Sequence, residues 1–246
     1  MESIQIYLNS KYADKYSDGG ISDCEYIIPE SIEIPDGFHI YLSVVSCLIP
    51  FSFYNINENN NKLIYSFDGM TMYNIIIPIG NYNINDLVKY LKSSMNNFTI
   101  TYNSLQNKIT FQHANNNFMF MSLSTCLSVI GFNNNSTIIS TNQILTSSHC
   151  VDLYIIKNIQ VNSNLITYNI NKLQKNNYCI LCSIPVSNQP FSLIEYINRT
   201  NFKTNLFVNK IRRIHIKLTD ENGNILNLNG CHYVMTLQLD VVDFIK

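Results

Sequence analysis

The most reactive side-chain types of the chain meet at His149-Cys150, with Asp152 close behind them. A cysteine beside a histidine and a carboxylate is the set of a thiol nucleophile, its base and the group that orients the base. Nucleophile and base must lie within hydrogen-bond reach, and neighbours in sequence rarely meet that requirement. We therefore predict no catalytic role for these residues.

Cysteine spacing gives a second candidate, because Cys179-Ile180-Leu181-Cys182 has the spacing of a redox pair. The run is strand-like, however, and residues three apart in a strand face opposite sides. The 7 cysteines show no framework spacing, and an odd number leaves one unpaired. The sequence thus predicts reduced, buried and unreactive thiols, as is typical of a reducing compartment.

The segment Asp220-Glu221-Asn222 has the composition of a cation-binding loop but lacks its ligand spacing, which favours a solvated turn. The 5 histidines are spread along the chain at His39, His113, His149, His215 and His232. No zinc motif, glycine-rich phosphate loop, nucleophile elbow or dinucleotide fingerprint occurs. We predict no catalytic, cofactor-binding or metal-binding residues, no cofactor and no enzymatic activity.

The net charge is only −1, so the chain has no overall basic field that would attract nucleic acid or an anionic membrane. Its densest basic spot is Lys210, Arg212 and Arg213. The main interpretation of this cluster is a solvated strand edge, and a weak contact with DNA is the lesser alternative.

Asparagine makes up roughly one residue in seven, whereas charged residues make up only 13%, about half the usual share. An AT-rich genome explains most of this bias. Whatever the cause, a surface of neutral amides and hydroxyls is less costly to bury against a partner than a charged one, since ionic desolvation is avoided. The composition is therefore compatible with extensive protein–protein contact.

The N-terminus lacks the apolar core of a signal peptide, and no apolar run is long enough to span a membrane. The sequence predicts a soluble protein, made in the cytoplasm of its cell. Residues 1–22 hold one short alternating piece, Ile4–Leu8, and then a polar tract, which indicates an N-terminal arm. Arms of this kind often become ordered on contact with a neighbour.

The stretch from Lys210 to Asp243 carries the clearest structural pattern. Apolar and polar residues alternate on both sides of Asn222-Gly223, as in strands that bury one face. Asn-Gly supplies the positive backbone dihedrals of a tight turn. The pattern predicts a long hairpin-like pair that closes a β protein.

Residues 73–139 differ from the rest because helical periodicity interrupts the strands. Asn83 is placed to cap a helix whose apolar residues are Ile84, Leu87, Val88 and Leu91. A second helix is predicted from Ser122 to Ile130, with Gly131 ending it. About eight strands lie outside this segment, and that number with long connections favours a jelly roll. The predicted fold is all-β, with a single jelly-roll β-sandwich over 23–246 interrupted by a small α+β insertion at 73–139.

Several motifs, taken in order, resemble the penton (vertex) capsid protein of virophages and Polinton-like viruses, of the double-jelly-roll virus group. Each motif alone is a common strand, turn or helix-cap pattern. Together, however, the motifs follow the order found in the family from about residue 24 to 242. The motifs are Leu48-Ile49-Pro50 with Tyr54-Asn55, Ile77–Tyr82 with the helix after it, Val129–Phe132, Ile180-Leu181 with Ile184–Val186, and Ile214–Gly223 running to Asn229-Gly230.

The resemblance implies a structural virion protein, a homopentamer that fills the fivefold vertices of an icosahedral capsid and contacts the major capsid protein. It also implies an insertion or spike, for which 73–139 is the candidate. A double jelly roll would need about twice this length. Two alternatives stay open: a fibre-like jelly roll that binds a receptor or a glycan, and a minor cement protein of a capsid.

Overall fold

The structure, a computed structural model, describes residues 2–35, 37–134, 136–165, 179–206 and 208–243. The chain divides into two compact units. We call Met1–Phe53 with Ile156–Lys246 the sandwich unit, and Tyr54–Ile155, which interrupts it, the inserted unit. The inserted unit thus begins before and ends after the segment 73–139 in which the sequence pattern changes.

The secondary structure is almost entirely strand. The sandwich unit begins with β1 (Glu2–Asn9), a 3-10 turn (Ser10–Tyr12), β2 (Lys15–Ser17), β3 (Gly20–Glu33) and β4 (Phe38–Pro50). The inserted unit contains β5 (Lys62–Ser66), β6 (Tyr73–Ile76), α1 (Ile84–Ser94), β7 (Phe98–Asn103), β8 (Lys108–His113), β9 (Met119–Phe120), β10 (Ile138–Ile139) and β11 (Ile144–Thr146). The sandwich unit resumes with β12 (Asn158–Ser163), β13 (Cys179–Pro185), β14 (Leu193–Ile197), β15 (Thr204–Leu206), β16 (Lys210–Thr219) and β17 (Val234–Asp243).

Two antiparallel sheets form the sandwich unit. Sheet A has the order β1-β17-β4-β14, with β15 also paired to β4, and sheet B has the order β13-β12-β16-β3-β2. Alternate residues of both sheets fill one shared core, such as Leu42 and Leu237 of sheet A and Ile216 and Val161 of sheet B. Period-two patterning produces this arrangement, because each strand then presents one apolar face to the other sheet.

The chain passes repeatedly from one sheet to the other. β3 lies in sheet B and β4 in sheet A; after the inserted unit, β12 and β13 lie in sheet B, β14 and β15 in sheet A, β16 in sheet B and β17 in sheet A. Long cross-connections between two packed sheets are those of a jelly roll. The predicted all-β class and jelly-roll β-sandwich are confirmed.

The predicted hairpin is wrong, although both of its strands exist. β16 pairs with β12 and β3, whereas β17 pairs with β1 and β4. The two strands therefore belong to opposite sheets. The turn at Gly223 closes only a local loop, in which Gly223 N donates to Asp220 O. The connection from this loop to β17 buries Leu226 and Leu228 in the core.

Much of the expected N-terminal arm is a strand of the fold. β1 pairs with β17 over its whole length, from Glu2 opposite Val241 to Asn9 opposite Val234. Leu8 is buried in the sandwich core, and Ile4 and Ile6 pack against that core from partly exposed positions. The alternation in Ile4–Leu8 was the signal for this strand.

The inserted unit has its own core, formed by two small sheets and α1. The sheets have the orders β10-β9-β5-β6 and β11-β8-β7. The first predicted helix is confirmed: the side chain of Asn83 accepts hydrogen bonds from the backbone N–H groups of Asn85 and Asp86 at the start of α1, which buries Leu87, Val88 and Leu91.

The second predicted helix is wrong. Residues 122–131 form consecutive turns, although Cys126, Leu127 and Ile130 are buried as a helical face would be. The reason is the role of Ser124, whose hydroxyl accepts from Ile64 N and donates to Ile64 O of β5. Because Ser124 extends the pairing of β5, only one helical hydrogen bond remains, from Ile130 N to Cys126 O.

Candidate interaction surfaces

His149, Cys150 and Asp152, whose residue types resemble a nucleophile set, do not contact one another in the described hydrogen bonds. The Nδ1 atom of His149 lies 3.0 Å from the Ser148 hydroxyl, and the exposed Cys150 thiol lies 3.6 Å from Gln106 O. The Asp152 carboxylate accepts from the backbone N–H of Tyr154. The contacts of these three side chains thus run to Ser148, Gln106 and Tyr154 and not to one another.

Most of the thiols whose side chains are described are unreactive because they are buried. Burial raises the pKa of Cys24 to about 11, that of Cys126 and Cys182 to about 12, and that of Cys47 well above its usual value. A thiol with a raised pKa stays protonated and is a poor nucleophile. The side chain of Cys179 lies outside the described residues. Cys150 and Cys231 are exposed, contrary to the expectation that the thiols are buried.

The loop after β16 is a hydrogen-bonded turn. Asp220 accepts from the backbone N–H groups of Asn222 and Asn224 and from the Asn224 side chain. Glu221 accepts from Lys157 N and Asn158 N. These backbone donors occupy the carboxylates, as expected for a turn. Among the described residues, no group of three or more His, Cys, Asp and Glu side chains could hold a metal ion.

The outer face of sheet B, which points away from the core, is charged and internally paired. His215 Nε2 lies 2.6 Å and Lys217 Nζ 3.4 Å from the carboxylate of Asp23. The chain covers this cluster at Gly19, where an added Cβ would lie 2.6 Å from Asp23 Cβ. Arg213 lies 4.0 Å from Glu25. Opposite charges within the sheet thus compensate one another.

The basic cluster at Lys210, Arg212 and Arg213 lies at the start of β16, and all of these side chains are exposed. The Lys210 ammonium lies 2.6 Å from the Glu33 carboxylate, and Arg213 faces Glu25. Because two of the three cations have acidic neighbours, the cluster has a weak net positive charge. This agrees with its interpretation as a solvated strand edge.

The outer face of sheet A is of a different kind, because its exposed side chains are mostly apolar or neutral, with Glu195 of β14 as an exposed carboxylate. Tyr7 is 75% exposed, Leu193 57% and Ile197 50%, and Leu48 and Val234 also reach the surface. The pairing places Val234 directly opposite Leu48, whereas Tyr7 and Ile197 lie opposite Thr236 and Ser46. One cross-strand row is Asn9, Val234, Leu48 and Glu195, and the next is Tyr7, Thr236, Ser46 and Ile197.

The other half of this outer face is polar and internally hydrogen-bonded. The Asp240 carboxylate is fully buried and lies 2.5 Å from the Lys203 ammonium, while Ser3 donates to it. Burial alone raises the pKa of Asp240, but hydrogen bonds from Lys203, Ser3 and Gln238 together lower it below its usual value. The charge at this end of the face is therefore neutralised within the chain.

Sequence reasoning did not identify the outer face of sheet A as a surface of interest. A signal for it was present in β14, where Leu193, Ile194, Tyr196 and Ile197 are all apolar. A strand of a sheet with one solvated face normally alternates between apolar and polar residues. Apolar residues on both faces of a strand therefore indicate that both faces are covered.

No helix in the described ranges is long and apolar enough to cross a membrane.

Comparison with known proteins gives likeness in structure only. No family model matches the chain, and no curated protein sequence matches it. The crystal structure of the mavirus penton protein is similar over 98% of this chain and 100% of the other, with a TM-score of 0.56 and 11% identity. A chain in the cryo-EM structure of the Sputnik virophage matches over 98% of each chain, with a TM-score of 0.43 and 13% identity. The first likeness confirms, at the level of the fold, the resemblance that the ordered motifs indicated.

Proposed function

We propose that this protein is a structural capsid protein that forms the penton at the fivefold vertices of an icosahedral virion, and that it is not an enzyme. The observation that carries the proposal is the likeness in fold to the mavirus penton protein over 98% of this chain and 100% of the other. Full coverage of both chains favours a common architecture over a shared core alone. The likeness includes residues 73–139, our candidate for the insertion or spike that the resemblance implies.

The proposed active form is a homopentamer. A closed ring of five copies requires a heterologous interface, in which one patch of each copy meets a different patch of the next. The low share of charged residues, 13%, supports extensive contact because burying neutral amides avoids ionic desolvation. The outward rim of the ring would contact the major capsid protein, and the protein would be made in the host cell cytoplasm before it enters the virion.

Contact with packaged DNA is proposed only as a weak, secondary interaction. The candidate residues are Lys210, Arg212 and Arg213, two of which lie near glutamates. Few free cations release few counterions, so any affinity for DNA should be low and should vanish with added salt. Retention of the protein on immobilised DNA at low salt, absent in an Arg212→Gln/Arg213→Gln variant, would support this contact.

The deciding experiment measures the mass of the purified full-length protein in solution across a range of concentrations, by sedimentation equilibrium and native mass spectrometry. We expect a species with five times the chain mass. Purified virions should contain the protein at the stoichiometry of the vertices. A protein that stays monomeric at the highest concentration and is missing from virions would overturn the proposal.

The fibre-like alternative, a receptor-binding or glycan-binding jelly roll, makes different predictions. It expects monomers or trimers in solution and selective hits on a glycan array. A minor cement protein would be found in the virion but away from the vertices, which a labelled low-resolution reconstruction of the particle would reveal. The likeness to a penton protein over the full length of both chains favours the penton over both alternatives.

A further inference from the structure

β1 is held in sheet A mostly by its backbone. The strand order places it at an edge of the sheet, with β17 as its neighbour. Leu8 is its one buried residue, and the other residues of the strand are exposed or partly exposed. β17, by contrast, buries Met235, Leu237 and Leu239 in the same core. A strand with so few buried apolar contacts opens locally at a smaller cost in free energy than a core strand does.

The side of β17 that pairs with β1, which we call the β17 edge, is matched to β1 residue by residue. All of β1 is in register with β17. The Ser3 hydroxyl donates to the Asp240 carboxylate at 2.5 Å, and the Gln5 amide donates to the Gln238 side chain at 3.5 Å. Because Asp240 is fully buried, the hydroxyl of β1 stabilises a carboxylate that water does not reach. Without a strand along it, the β17 edge would also leave a row of backbone N–H and C=O groups unpaired.

The pairing continues through Ser10, just after β1. Ser10 N donates to Tyr233 O, and Ser10 Oγ accepts from Tyr233 N, each at 3.0 Å. Ser10 is fully buried at this position. The segment that the β17 edge and Tyr233 hold is therefore residues 2–10.

The connection from residues 2–10 to sheet B is mostly exposed, including all of β2 (Lys15–Ser17). It is held by a bond from the Tyr16 hydroxyl to Ser10 O, by bonds of Asp14 with the backbone of β3, and by the pairing of β2 with β3. If these contacts open, residues 11–18 extend to about 26 Å, at about 3.3 Å per residue. The connection is then long enough to carry residues 2–10 to an adjacent copy while β3 stays in sheet B.

We propose that residues 2–10 of each copy leave the β17 edge of their own chain and pair with the β17 edge of the next copy in the ring; this rests on the proposed penton function and supplies its subunit interface. The donated segment and the accepting edge are different patches, as the heterologous interface of a closed ring requires. Exchange of an identical element remakes every contact of β1, so the free-energy cost is confined to the connection.

The contacts of the β17 edge favour a second copy over a strand of another protein. Its occupant must place an apolar residue in the core at the position of Leu8 and a hydroxyl opposite Asp240. A strand that lacks the hydroxyl would leave the buried carboxylate short of a hydrogen bond, which is costly. Every copy of this chain carries both features in the required register.

The test places cysteines at positions that face each other across β1 and β17, in the variant Gln5→Cys/Gln238→Cys. Cys150→Ser and Cys231→Ser are added because both native thiols are exposed. The full-length protein is assembled under reducing conditions and then treated with oxidised glutathione, which is reduced as each pair of thiols forms a disulfide. Denaturing electrophoresis without reductant shows which chains are joined.

Exchange predicts disulfides between chains, up to a product of five chains. The matched control is Leu48→Cys/Glu195→Cys in the same background, a pair of exposed residues that face each other across β4 and β14. Because neither of these strands is exchanged, its disulfide should form within single chains. A Gln5→Cys/Gln238→Cys protein that assembles but forms its disulfide only within single chains would overturn the exchange and leave the penton function standing.

The same variant tests whether assembly depends on the exchange. Oxidation of the dilute, monomeric protein should lock β1 onto its own β17. We expect this locked protein to lose the five-chain species on concentration and to regain it when a reductant is added, whereas the oxidised control pair should assemble normally. Normal assembly of the locked protein would overturn the proposal. A chain that stays monomeric without any substitution would overturn the penton function itself, and the exchange with it.

The occupant of the β17 edge in the particle is identified by a photo-reactive residue at Gln238. In purified virions it should crosslink to residues 2–10 of another copy, giving a product with twice the chain mass. A crosslink to the major capsid protein would assign the edge to a strand of that protein and would overturn the proposal.

Discussion

The hydroxyl of Tyr26 donates a hydrogen bond to the hydroxyl of Tyr233 at 3.1 Å, inside the core of the sandwich unit. Tyr26 belongs to β3 of sheet B, and Tyr233 directly precedes β17 of sheet A, so this bond joins the two sheets. Burial raises the pKa of both phenols above the usual value of 10.0. The thiol of Cys24, which also has a raised pKa, contacts the same pair.

This core should make the protein sensitive to alkali. The pKa of Cys24 rises from 9.0 to about 11 on folding, and those of Tyr26 and Tyr233 rise above 10.0. The unfolded chain therefore loses these protons first, so the stabilisation is present below about pH 9 and is lost as pH rises through the folded-state values. We expect the free energy of unfolding, measured in denaturant at increasing pH, to fall steeply above about pH 10.

A variant separates the tyrosine pair from general alkaline effects. Tyr26→Phe should cost about 1 kcal/mol at neutral pH through the lost hydrogen bond, and should reduce the fall in stability at alkaline pH. Tyr154→Phe, at a position 77% exposed, is the control and should change neither quantity. An unchanged alkaline profile in Tyr26→Phe would contradict the role given to the buried pair.

Two glycines with almost the same backbone conformation should respond very differently to alanine. Gly131 has φ of 83° and Gly223 has φ of 84°. A Cβ at Gly131 would lie 2.4 Å from His149 O, whereas a Cβ at Gly223 would have nothing within 4 Å. Gly223→Ala should therefore cost only the strain of positive φ, about 1 kcal/mol, and Gly131→Ala about 2 to 4 kcal/mol. Similar losses in chemical denaturation would contradict this reasoning.

The sequence predicted those features that depend on local pattern. Alternation identified β16 and β17, and the spacing of Leu87, Val88 and Leu91 after Asn83 identified α1 with its cap. Strand partners could not be predicted in the same way, because an alternating strand fits either sheet of a sandwich equally well. The error over the hairpin at Asn222-Gly223 has this cause: the turn is real, but β16 and β17 have different neighbours.

The outer face of sheet A could not be predicted from the sequence for a related reason. Leu48 and Val234 lie far apart in sequence, and their outward direction is set by a register that only the pairing of β4 with β17 defines. A bulge in that pairing, between Thr236 and Leu237, also breaks the alternation of β4. The prediction that the chain has no catalytic residues is of a different kind, because it rests on residue types and spacing alone, and it stays a prediction.

The N-terminal cap of α1 should contribute measurably to the inserted unit. Asn83 accepts two backbone hydrogen bonds, from Asn85 N and Asp86 N. Asn83→Ala removes both and should cost about 1 kcal/mol of unfolding free energy. Asn96→Ala, just after the helix and exposed, is the matched control and should be within about 0.5 kcal/mol of the unchanged protein. Equal effects of the two substitutions would show that the cap is not significant for stability.

The Asp240–Lys203 pair should stabilise the outer face of sheet A and make it sensitive to acid. Asp240 is fully buried, and its carboxylate accepts from Lys203, Ser3 and Gln238. Because the net pKa shift is downward from 3.8, the stabilisation is present above that value and is lost as pH falls through the lower folded-state pKa. Asp240→Asn should cost about 2 to 3 kcal/mol at neutral pH, and its stability should vary less between neutral and acid pH.

A double-mutant cycle tests the pairing itself. Lys203→Met leaves the buried Asp240 carboxylate without its cation, so this substitution should destabilise the protein by an amount similar to that of Asp240→Asn. The combined variant Lys203→Met/Asp240→Asn should then lose less than the sum of the single losses, by at least about 1 kcal/mol, since each substitution removes the same interaction. Strict additivity in urea denaturation would mean that the two residues do not interact, and that Asp240 is stabilised by Ser3 and Gln238 alone.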